Sequence, residues 1–288
     1  MKKAIVSAFV SLLFLLILFI SQNQQFSDGK LHVVFCDVGQ GDGIFIRTPK
    51  GMNVIVDGGP NDKILDCLSR HMPFWEKTID LMLLSHPHAD HFMGLASVMK
   101  RYTVLSFGSE KIDNKKAAGF LSLRQELERN RTPQRFVYAG DSFSSHDGVM
   151  FRIMGPSRAF LEATSPNGEI GESKEFGSVE TLVSYGSFSV LLTGDSQASE
   201  LREAITSGLL GPVTVLQVPH HGSKTGLDSE ILDELYPQLA VISVGKNSYG
   251  HPTPEILKIL GDKQIKILRT DKSGDIELVS DGKEWGVE

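Results

Sequence analysis

The chain has 288 residues, of which 41% are hydrophobic, enough for one domain with a large core or for two small ones. Its formal net charge of −6 argues against a surface devoted to the nucleic-acid backbone, although a local basic groove is compatible with it. The cysteines, Cys36 and Cys67, are too few for a disulfide framework; both have apolar neighbours, so we expect buried free thiols, with a disulfide between them as the alternative in an exported domain.

The N-terminus has the pattern of a targeting or anchoring segment. Lys2 and Lys3 precede an apolar run over residues 4–20, and polar residues follow it. The run is intermediate in length between a cleaved signal and a membrane-spanning helix, and the bulky residues before Ser21 do not form a small-residue cleavage site. We therefore expect residues 1–30 to form a signal or, preferentially, an uncleaved membrane anchor with a linker. Residues 31–288 are then a domain outside the cytoplasm.

The first part of this domain predicts three strands and a helix. The strands are expected over residues 31–36, 44–47 and 53–56, with a hairpin at Thr48–Gly51 between the last two. The glycines at 39, 41 and 43 precede a strand rather than a helix, which excludes a dinucleotide-binding fingerprint. The helix begins at Asn61 or Asp62 and ends near His71, which we interpret as a helix-end histidine rather than a ligand.

The next buried strand, over residues 79–84, leads into the densest group of metal-capable side chains in the sequence. His86, His88, Asp90 and His91 follow it, and apolar residues at helical spacing continue to Met99. His86 and His88 project to the same side of an extended segment, whereas Asp90 and His91 lie at the start of the helix. This spacing predicts two neighbouring metal sites; the alternative is a polar loop that is merely rich in histidine.

The second half of the chain alternates strands and helices. The expected elements are a helix within 111–131, a strand over 148–154, a polar loop over 164–178, a strand over 187–192, a helix over 199–206, a strand over 213–218, a helix from Asp228 or Ser229 to Tyr236, a strand over 240–244, and a last hairpin of residues 264–269 with 275–279. Four apolar strands end in metal-capable groups: Asp57, His86, Asp195 and His220–His221. Because open α/β folds place sites beyond the carboxyl ends of strands, we expect these groups to meet at one edge.

The chemistry of these residues points to hydrolysis with metal ions. Imidazole and carboxylate ligands without a thiolate favour zinc or manganese over calcium. A carboxylate such as Asp195 can bridge two ions, and two ions about 3.5–4 Å apart lower the pKa of a bridging water. This suits the hydrolysis of a phosphodiester, and the same hydroxide could attack a lactone, a lactam or a thioester.

Several motifs resemble those of a known family. Residues 85–91 (SHPHADH) resemble the His-x-His-x-Asp-His signature of the metallo-β-lactamase superfamily, and residues 192–195 (LTGD) resemble the segment of its bridging aspartate. Residues 35–42 (FCDVGQGD), 219–224 (PHHGSK), 247–252 (NSYGHP) and 269–271 with Gly274 resemble the extracellular hydrolase domain of ComEC-type DNA-uptake proteins, over about residues 31–288. The resemblance implies an α/β (α+β) fold, a four-layer αββα sandwich with metals at its edge.

The resemblance also implies a role for each matching residue. The metal ligands are His86 and His88 at the first ion, Asp90, His91 and His221 at the second, and Asp195 between them. The catalytic candidates are Asp90, His220, Lys224 and His251, and Asp57 is expected to brace the metal loop. Asp37, Gln40 and Asp42 are expected to line the floor with Asp57. The roles of His220 and His221 are interchangeable at this stage, and Lys224 and His251 are equally well explained as a solvated lysine and a turn histidine.

The chain departs from the superfamily at the first ion. Relatives often supply another histidine between the cluster and the bridging aspartate; here that interval contains His146, which the sequence places in an exposed turn. Gly155 and Gly177–Ser178 stand where relatives carry polar groups. We therefore expect the first ion to be weakly held.

Together these features predict a metal-dependent hydrolase with two divalent cations, zinc or manganese. The favoured substrate is a phosphodiester, with DNA among the candidates, and the membrane is contacted through the N-terminal segment; no protein partner is evident. A role in DNA uptake does not follow from resemblance alone. The alternatives are a hydrolase of an acyl compound such as a lactone or β-lactam, disfavoured for lactams by the missing cysteine ligand, and a non-catalytic binding module.

Overall fold

The structure is a computed structural model that describes residues 2–173 and 176–288. Residues 1, 174 and 175 lie outside it, and so does that part of the polar loop predicted over residues 164–178. The helices are α1 (Lys2–Phe26), α2 (Lys63–His71), α3 (Ala89–Arg101), α4 (Ala118–Arg129), α5 (Arg158–Thr164), α6 (Ala198–Thr206), α7 (Ser229–Leu235), α8 (Pro254–Asp262), α9 (Thr270–Ser273) and a 3₁₀ turn at Pro219–Gly222.

The strands alternate with these helices along the chain. They are β1 (Leu31–Phe35), β2 (Gly43–Arg47), β3 (Asn53–Gly58), β4 (Thr78–Ile79), β5 (Leu81–Leu84), β6 (Thr103–Val104), β7 (Phe107–Ser109), β8 (Gln134–Phe136), β9 (Ser142–Ser144), β10 (Met150–Gly155), β11 (Glu180–Tyr185), β12 (Phe188–Leu192), β13 (Val215–Gln217), β14 (Leu239–Ile242), β15 (Lys266–Arg269), β16 (Ile276–Ser280) and β17 (Trp285–Val287).

Two large mixed sheets contain most of the strands. One has the order β17-β16-β1-β2-β3-β5-β7-β8, and the other has the order β15-β14-β13-β12-β11-β10-β9. In the first sheet β3, β5 and β7 run parallel, and in the second sheet β12 to β15 run parallel. The carboxyl ends of neighbouring parallel strands therefore lie together at one edge of each sheet.

The sheets pack face to face, and helices cover their outer faces. Alternate side chains of a strand point to opposite faces, so Val33 and Phe35 of β1 enter the core between the sheets, whereas Val34 packs towards α2, α3 and α4. The second sheet does the same with α6, α7 and α8. This arrangement confirms the predicted four-layer αββα sandwich.

The predicted last hairpin is wrong. β15 pairs in parallel with β14 in the second sheet, whereas β16 pairs antiparallel with β1 in the first sheet. The short helix α9 carries the chain from one sheet to the other. Two adjacent apolar runs joined by a polar, glycine-containing turn predict a hairpin equally well, because local sequence does not specify which sheet each run joins.

The expectation of free thiols is also wrong. Cys36 and Cys67 form a disulfide that joins the end of β1 to α2. Both cysteines are buried, as expected from their apolar neighbours. The disulfide lies directly before the glycine-rich segment 37–43, and it therefore fixes the point from which that segment leaves the sheet.

The described side chains of α1 are exposed up to Ser21 and half-buried at Gln22 and Phe26. Its segment Ile5–Gln22 is, among the described helices, the one long and apolar enough to cross a membrane, although a signal sequence has the same properties. The polar residues after Ile20, which were expected in a linker, continue the helix to Phe26.

Candidate metal centre

Strand ends from both sheets deliver the polar side chains of one cluster. The contributing groups are Asp57 from β3, His86 after β5, Asp195 after β12, and His220 and His221 after β13. Helix α3 begins directly after His88 and adds Asp90 and His91 in its first turn. The predicted convergence of four strand ends on one edge is therefore confirmed by the geometry.

Asp195 lies at the middle of the cluster and presents a different oxygen to each side. Its Oδ1 is 3.2 Å from Nε2 of His91 and 3.3 Å from Nε2 of His221. Its Oδ2 is 3.5 Å from Nε2 of His86 and 3.5 Å from Nε2 of His220. A carboxylate that bridges two cations uses its oxygens in this way.

The Oδ1 side has four convergent donors. Ligand atoms of Asp90, His91, Asp195 and His221 all lie within 4.8 Å of one another. Asp90 Oδ2 is 3.5 Å from His221 Nε2, and Asp90 is the most exposed of the four. Four donors of this kind complete the coordination of a tetrahedral cation.

On the Oδ2 side three donors converge, with His220 beside them and an aromatic ring over them. Ligand atoms of His86, His88 and Asp195 lie within 4.8 Å of one another, and His86 Nε2 is 2.8 Å from His88 Nδ1. Phe176 stacks on His86 with ring centroids 5.2 Å apart and meets the His88 ring at 5.0 Å. An apolar ring thus covers the side on which a further ligand could approach.

Buried hydrogen bonds hold the histidines in place from behind. Asp57 accepts hydrogen bonds from the backbone N–H of Ser85 at 2.8 Å and from its hydroxyl at 2.6 Å, and its Oδ2 is 2.8 Å from His91 Nδ1. His221 Nδ1 is 2.9 Å from the carbonyl oxygen of Ser243. Because each ring has a partner on Nδ1, its Nε2 is directed into the cluster.

Backbone strain is concentrated at the same residues. Asp57, His220 and His221 have positive φ values of 59°, 51° and 55°, a region that costs non-glycine residues of order 1 kcal/mol each. The left-handed conformation of consecutive histidines is what sends His220 to one oxygen of Asp195 and His221 to the other. Gly194 has a φ of 51°, and a Cβ there would lie 2.4 Å from Ser178 Oγ, so the turn before Asp195 requires glycine.

The histidines on the Oδ1 side hold protons strongly. Burial disfavours the charged form of each ring, but Asp195 and Asp57 outweigh it and raise the pKa of His91 well above its ordinary value. Against the same burial, Asp195 and Asp42 raise the pKa of His221 to about 9. The neighbouring imidazoles hold the pKa of Asp195 well below its usual range despite its burial. The cluster is therefore an anionic site that attracts positive charge.

The donor set fits a divalent metal. Nε2 of His91, Nε2 of His221 and Oδ1 of Asp195 are buried, face one another and have no hydrogen-bond partner among the residues that the structure describes. Polar atoms left in this state are costly, and a cation between them would satisfy all three. Imidazole with carboxylate is the ligand chemistry of zinc and manganese.

Comparison with known proteins agrees with this geometry. The sequence pattern of the Metallo-beta-lactamase superfamily matches residues 36–246. The chain belongs to this superfamily. Its fold is generally hydrolytic and binds divalent metal ions, often two.

The individual relatives fall among proteins of competence and recombination. The chain is 28% identical over 281 residues to ComE operon protein 3 of Bacillus subtilis, covering 87% of this chain and 33% of that protein. It is 29% identical over 264 residues to Recombination protein 2 of Haemophilus influenzae, covering 88% of this chain and 29% of the relative. The predicted resemblance is thereby confirmed, and the chain spans about a third of the length of these relatives.

Among solved structures, the metallo-beta-lactamase fold protein YhfI of Bacillus subtilis superposes with a TM-score of 0.56. The match covers 86% of this chain and 99% of YhfI at 12% sequence identity. At this identity the similarity concerns the fold alone.

The residues predicted to line the floor of the metal site lie in two different places. Asp42 is buried behind the histidines, 3.5 Å from His221 Nδ1, and burial raises the pKa of Asp42 to about 6. Gln40 accepts a hydrogen bond from the backbone N–H of Gly245 at 3.3 Å. Asp37 lies elsewhere: it lines a separate surface cavity of about 440 Å³ with residues of α2.

The remaining catalytic candidates lie on the loops after β13 and β14. His251 is half-buried, and its ring centroid is 5.7 Å from that of His220. Asn247 fixes this loop because its side chain accepts from the backbone N–H of His251 and donates to the carbonyl oxygen of the same residue. Lys224 is exposed three residues beyond His221. The structure thus brings His251 to the centre and leaves Lys224 in solvent near it.

Two other histidines lie outside the centre. His146 is exposed in the turn between β9 and β10, as predicted. His71 forms ion pairs with Asp275 at 3.1 Å and Glu277 at 3.2 Å, and these carboxylates overcome burial and raise the pKa of His71 to about 9. Although Cys67, His71 and Asp275 lie close together, the disulfide occupies the sulfur of Cys67, so this group is not a metal site.

Asp57 was expected to support the metal loop, but sequence reasoning missed the other residues that support the ligands. Ser178 accepts a hydrogen bond from the backbone N–H of Asp195 at 3.1 Å, and Ser85 links Asp57 to the metal loop. Phe176, which covers the Oδ2 side, is an ordinary apolar residue in sequence. Serine and phenylalanine carry no metal-ligand signal, so only their position in space reveals these roles.

Proposed function

We propose that the protein is a metal-dependent phosphodiesterase that uses two divalent cations, zinc or manganese. The observation that carries this proposal is the placement of the Asp195 oxygens, one towards His91 and His221 and the other towards His86. Cations held on the two sides would supply an activated water and neutralise the charge that develops on a phosphoryl group.

The side chains of the protein would then position the substrate and protonate its leaving group. Asp57 and Ser85 keep His91 in a single orientation, so the water and the phosphoryl group meet in a fixed geometry. His220 is 28% exposed and lies on the Oδ2 side of Asp195, where its ring can give a proton to the leaving oxygen. His251, next to His220, is placed to hold a non-bridging oxygen of the substrate.

The relatives support nucleic acid as the substrate class. ComE operon protein 3 and Recombination protein 2 bear names that connect them with competence and recombination. A nucleic acid is a phosphodiester, which is the substrate that a two-cation centre suits best. The inference remains a proposal for this chain, which spans about a third of those relatives.

We also propose that the domain is held outside the cytoplasm by α1 as a membrane anchor. The Cys36–Cys67 disulfide supports this location, because disulfides persist in oxidising compartments and are rare in the cytosol. The apolar segment Ile5–Gln22 is long enough to cross a bilayer.

Hydrolysis assays with the purified full chain test the activity. We expect zinc- or manganese-dependent cleavage of bis(p-nitrophenyl) phosphate, and the loss of at least 100-fold in kcat/KM in His221→Ala and Asp195→Ala. The matched control, His146→Ala in an exposed turn, retains wild-type activity. Cleavage of a chromogenic lactone or lactam with no phosphodiester turnover would favour the acyl alternative, and metal binding without any turnover would favour a binding module.

A further inference from the structure

Two adjacent aromatic side chains are exposed on the loop that follows α2. Phe74 has 61% of its surface exposed, and Trp75 has 36%. Large aromatic residues in this condition mark contact surfaces when they adjoin further apolar area. We therefore expect a second surface to contact both rings of this loop.

The adjoining apolar area is the N-terminal helix. The Trp75 ring lies 4.7 Å from the ring of Phe19 in α1, centroid to centroid. Gln22 Oε1 accepts a hydrogen bond from the backbone N–H of Phe74 at 3.2 Å. The aromatic loop and the last turns of the apolar segment thus form one continuous surface.

The position of this contact along α1 indicates how deep the Trp75 ring would lie in a bilayer that α1 crosses. The apolar run over residues 4–20 ends one residue after Phe19, and the longer segment Ile5–Gln22 ends three residues after it. With a rise of 1.5 Å per residue, the Trp75 ring therefore lies about 1.5–4.5 Å inside the end of the apolar segment. This is the level at which tryptophan and other aromatic rings collect in membrane proteins, between the headgroups and the hydrocarbon.

The same end of the helix is tied to the sandwich away from the metal centre. Arg47 donates from Nε to the carbonyl oxygen of Phe26 at 3.0 Å and from Nη1 to Asn53 Oδ1 at 2.6 Å. Asn53 begins β3, and Asp57 lies near the other end of that strand. At 3.3 Å per residue the strand separates the two positions by about 13 Å.

We propose that Phe74 and Trp75 enter the interfacial layer of the phospholipid bilayer that α1 crosses, and that this second contact holds the metal centre facing away from the membrane. The inference rests on the proposed membrane anchor. The bilayer is the occupant that the surface fits, because the rings continue a segment whose apolar side chains are themselves exposed. A centre in this orientation receives its substrate from the aqueous phase rather than from the lipid.

Tryptophan fluorescence in bilayers tests the contact, since the chain has two tryptophans, Trp75 and Trp285. The full chain with Trp285→Phe is reconstituted in phosphatidylcholine vesicles whose acyl chains carry bromine either close to the headgroup or deep in the hydrocarbon. We expect blue-shifted emission and stronger quenching by the shallow bromine. Emission that is unchanged by both lipids overturns the proposal, and stronger quenching by the deep bromine overturns the assigned depth.

A control variant and a flotation assay separate the two proposals. Tyr236, at the end of α7, is 79% exposed and belongs to the opposite helical layer. A chain with Trp75→Phe, Trp285→Phe and Tyr236→Trp is expected to show no quenching. If the full chain fails to float with the vesicles, the proposed membrane anchor is wrong, and so is the proposed contact of Phe74 and Trp75 with the bilayer. If the chain floats but the control is quenched as strongly as Trp75, the proposed orientation is overturned while the anchor stands.

Discussion

Among the single residues, Asp195 connects the two groups of histidines because it contacts both. Its oxygens face opposite sides, and the hydroxyl of Ser178 holds its backbone. Protons on His91 and His221 occupy the positions that cations would take. Metal ions and protons therefore compete for the same nitrogens, because only the neutral imidazole binds a metal.

This competition predicts release of protons when metal binds. At pH 7 the raised pKa values of His91 and of His221, the latter about 9, keep both rings protonated in the metal-free protein. We expect close to two protons to be released as zinc binds at pH 7, and the affinity to increase with pH at least up to about pH 9. Calorimetry in buffers of different ionisation enthalpy measures the number. His221→Ala should lower it by about one, and no release at pH 7 would refute the assignment of these ligands.

Phe176 offers a second prediction at this scale. Its ring packs on His86 and His88 and supplies no donor. Phe176→His should add a ligand to the Oδ2 side and raise its affinity for zinc about tenfold or more, so that a second ion survives dialysis. Phe176→Leu, which also lacks a donor, is the control. Equal metal content in the wild type and both variants would show that Phe176 does not limit the affinity for the first ion.

Buried glutamates near the centre allow a prediction about pH and stability. Glu180 is fully buried, and burial raises its pKa to about 8 although a hydrogen bond with Ser196 acts in the opposite direction. Between the ordinary pKa of 4.5 and about 8 the unfolded chain ionises while the folded chain keeps its proton, so stability falls as pH rises.

Glu180→Gln removes this ionisation. We expect the metal-free variant to exceed the wild type in unfolding free energy by on the order of 4 kcal/mol at pH 8, and by less than about 1 kcal/mol at pH 5. Urea unfolding at the two pH values measures the difference. The exposed Glu162→Gln is the control, and a Glu180→Gln variant that gains nothing at pH 8 would contradict a protonated Glu180.

The spacing of chemically distinctive residues made most of the centre predictable. Histidines and an aspartate at 86, 88, 90 and 91 announce a metal loop, and strand ends locate Asp195 and His221. Apart from Asp57, the supporting groups were not predictable because their residue types are common. Asp37 lines a different cavity from the metal centre, which the sequence does not indicate because the direction of a glycine-rich segment is set by tertiary contacts.

At the scale of elements, the disulfide secures the segment that enters the centre. It closes a loop with a sequence separation of 31 residues. In the chain-entropy model a cross-link of this length stabilises by about 3–4 kcal/mol. The stabilisation acts on β1 and α2, between which residues 37–43 leave the sheet.

The double variant Cys36→Ser/Cys67→Ser should therefore be less stable than the oxidised wild type by about that amount. Urea unfolding with and without dithiothreitol measures it. The reductant should bring the wild type to the level of the double variant and leave the variant unchanged. A wild type that is insensitive to complete reduction would show that the cross-link contributes nothing.

Helices and strands with a regular apolar pattern were predicted well, whereas the pairing of strands within the sheets was not. The helix after the metal loop was predicted correctly. The single strand predicted over residues 79–84 is instead two strands, β4 and β5, in different sheets, and β15 and β16 were joined into a hairpin that does not exist. Sequence patterns report which side of a strand is buried. Sheet membership depends on packing against residues far away in the chain, which the local pattern does not contain.

At the scale of the whole molecule, the two sheets meet so that parallel strand ends from each supply half of the centre. The first sheet contributes the metal loop, and the second contributes Asp195 and His221. Neither half has a complete ligand set on the Oδ1 side. The centre therefore depends on the packing of the sandwich, and the packing alone converts two separate sequence regions into one site.

Metal analysis of the purified full chain tests this account most directly. After loading with zinc and removal of free ions, the wild type should retain at least one ion per chain, and Asp195→Ala should retain fewer than one in ten chains with metal, because Asp195 serves both sides. Circular dichroism shows whether the variant is folded. A folded Asp195→Ala protein that keeps the wild-type zinc content would contradict the bridging centre.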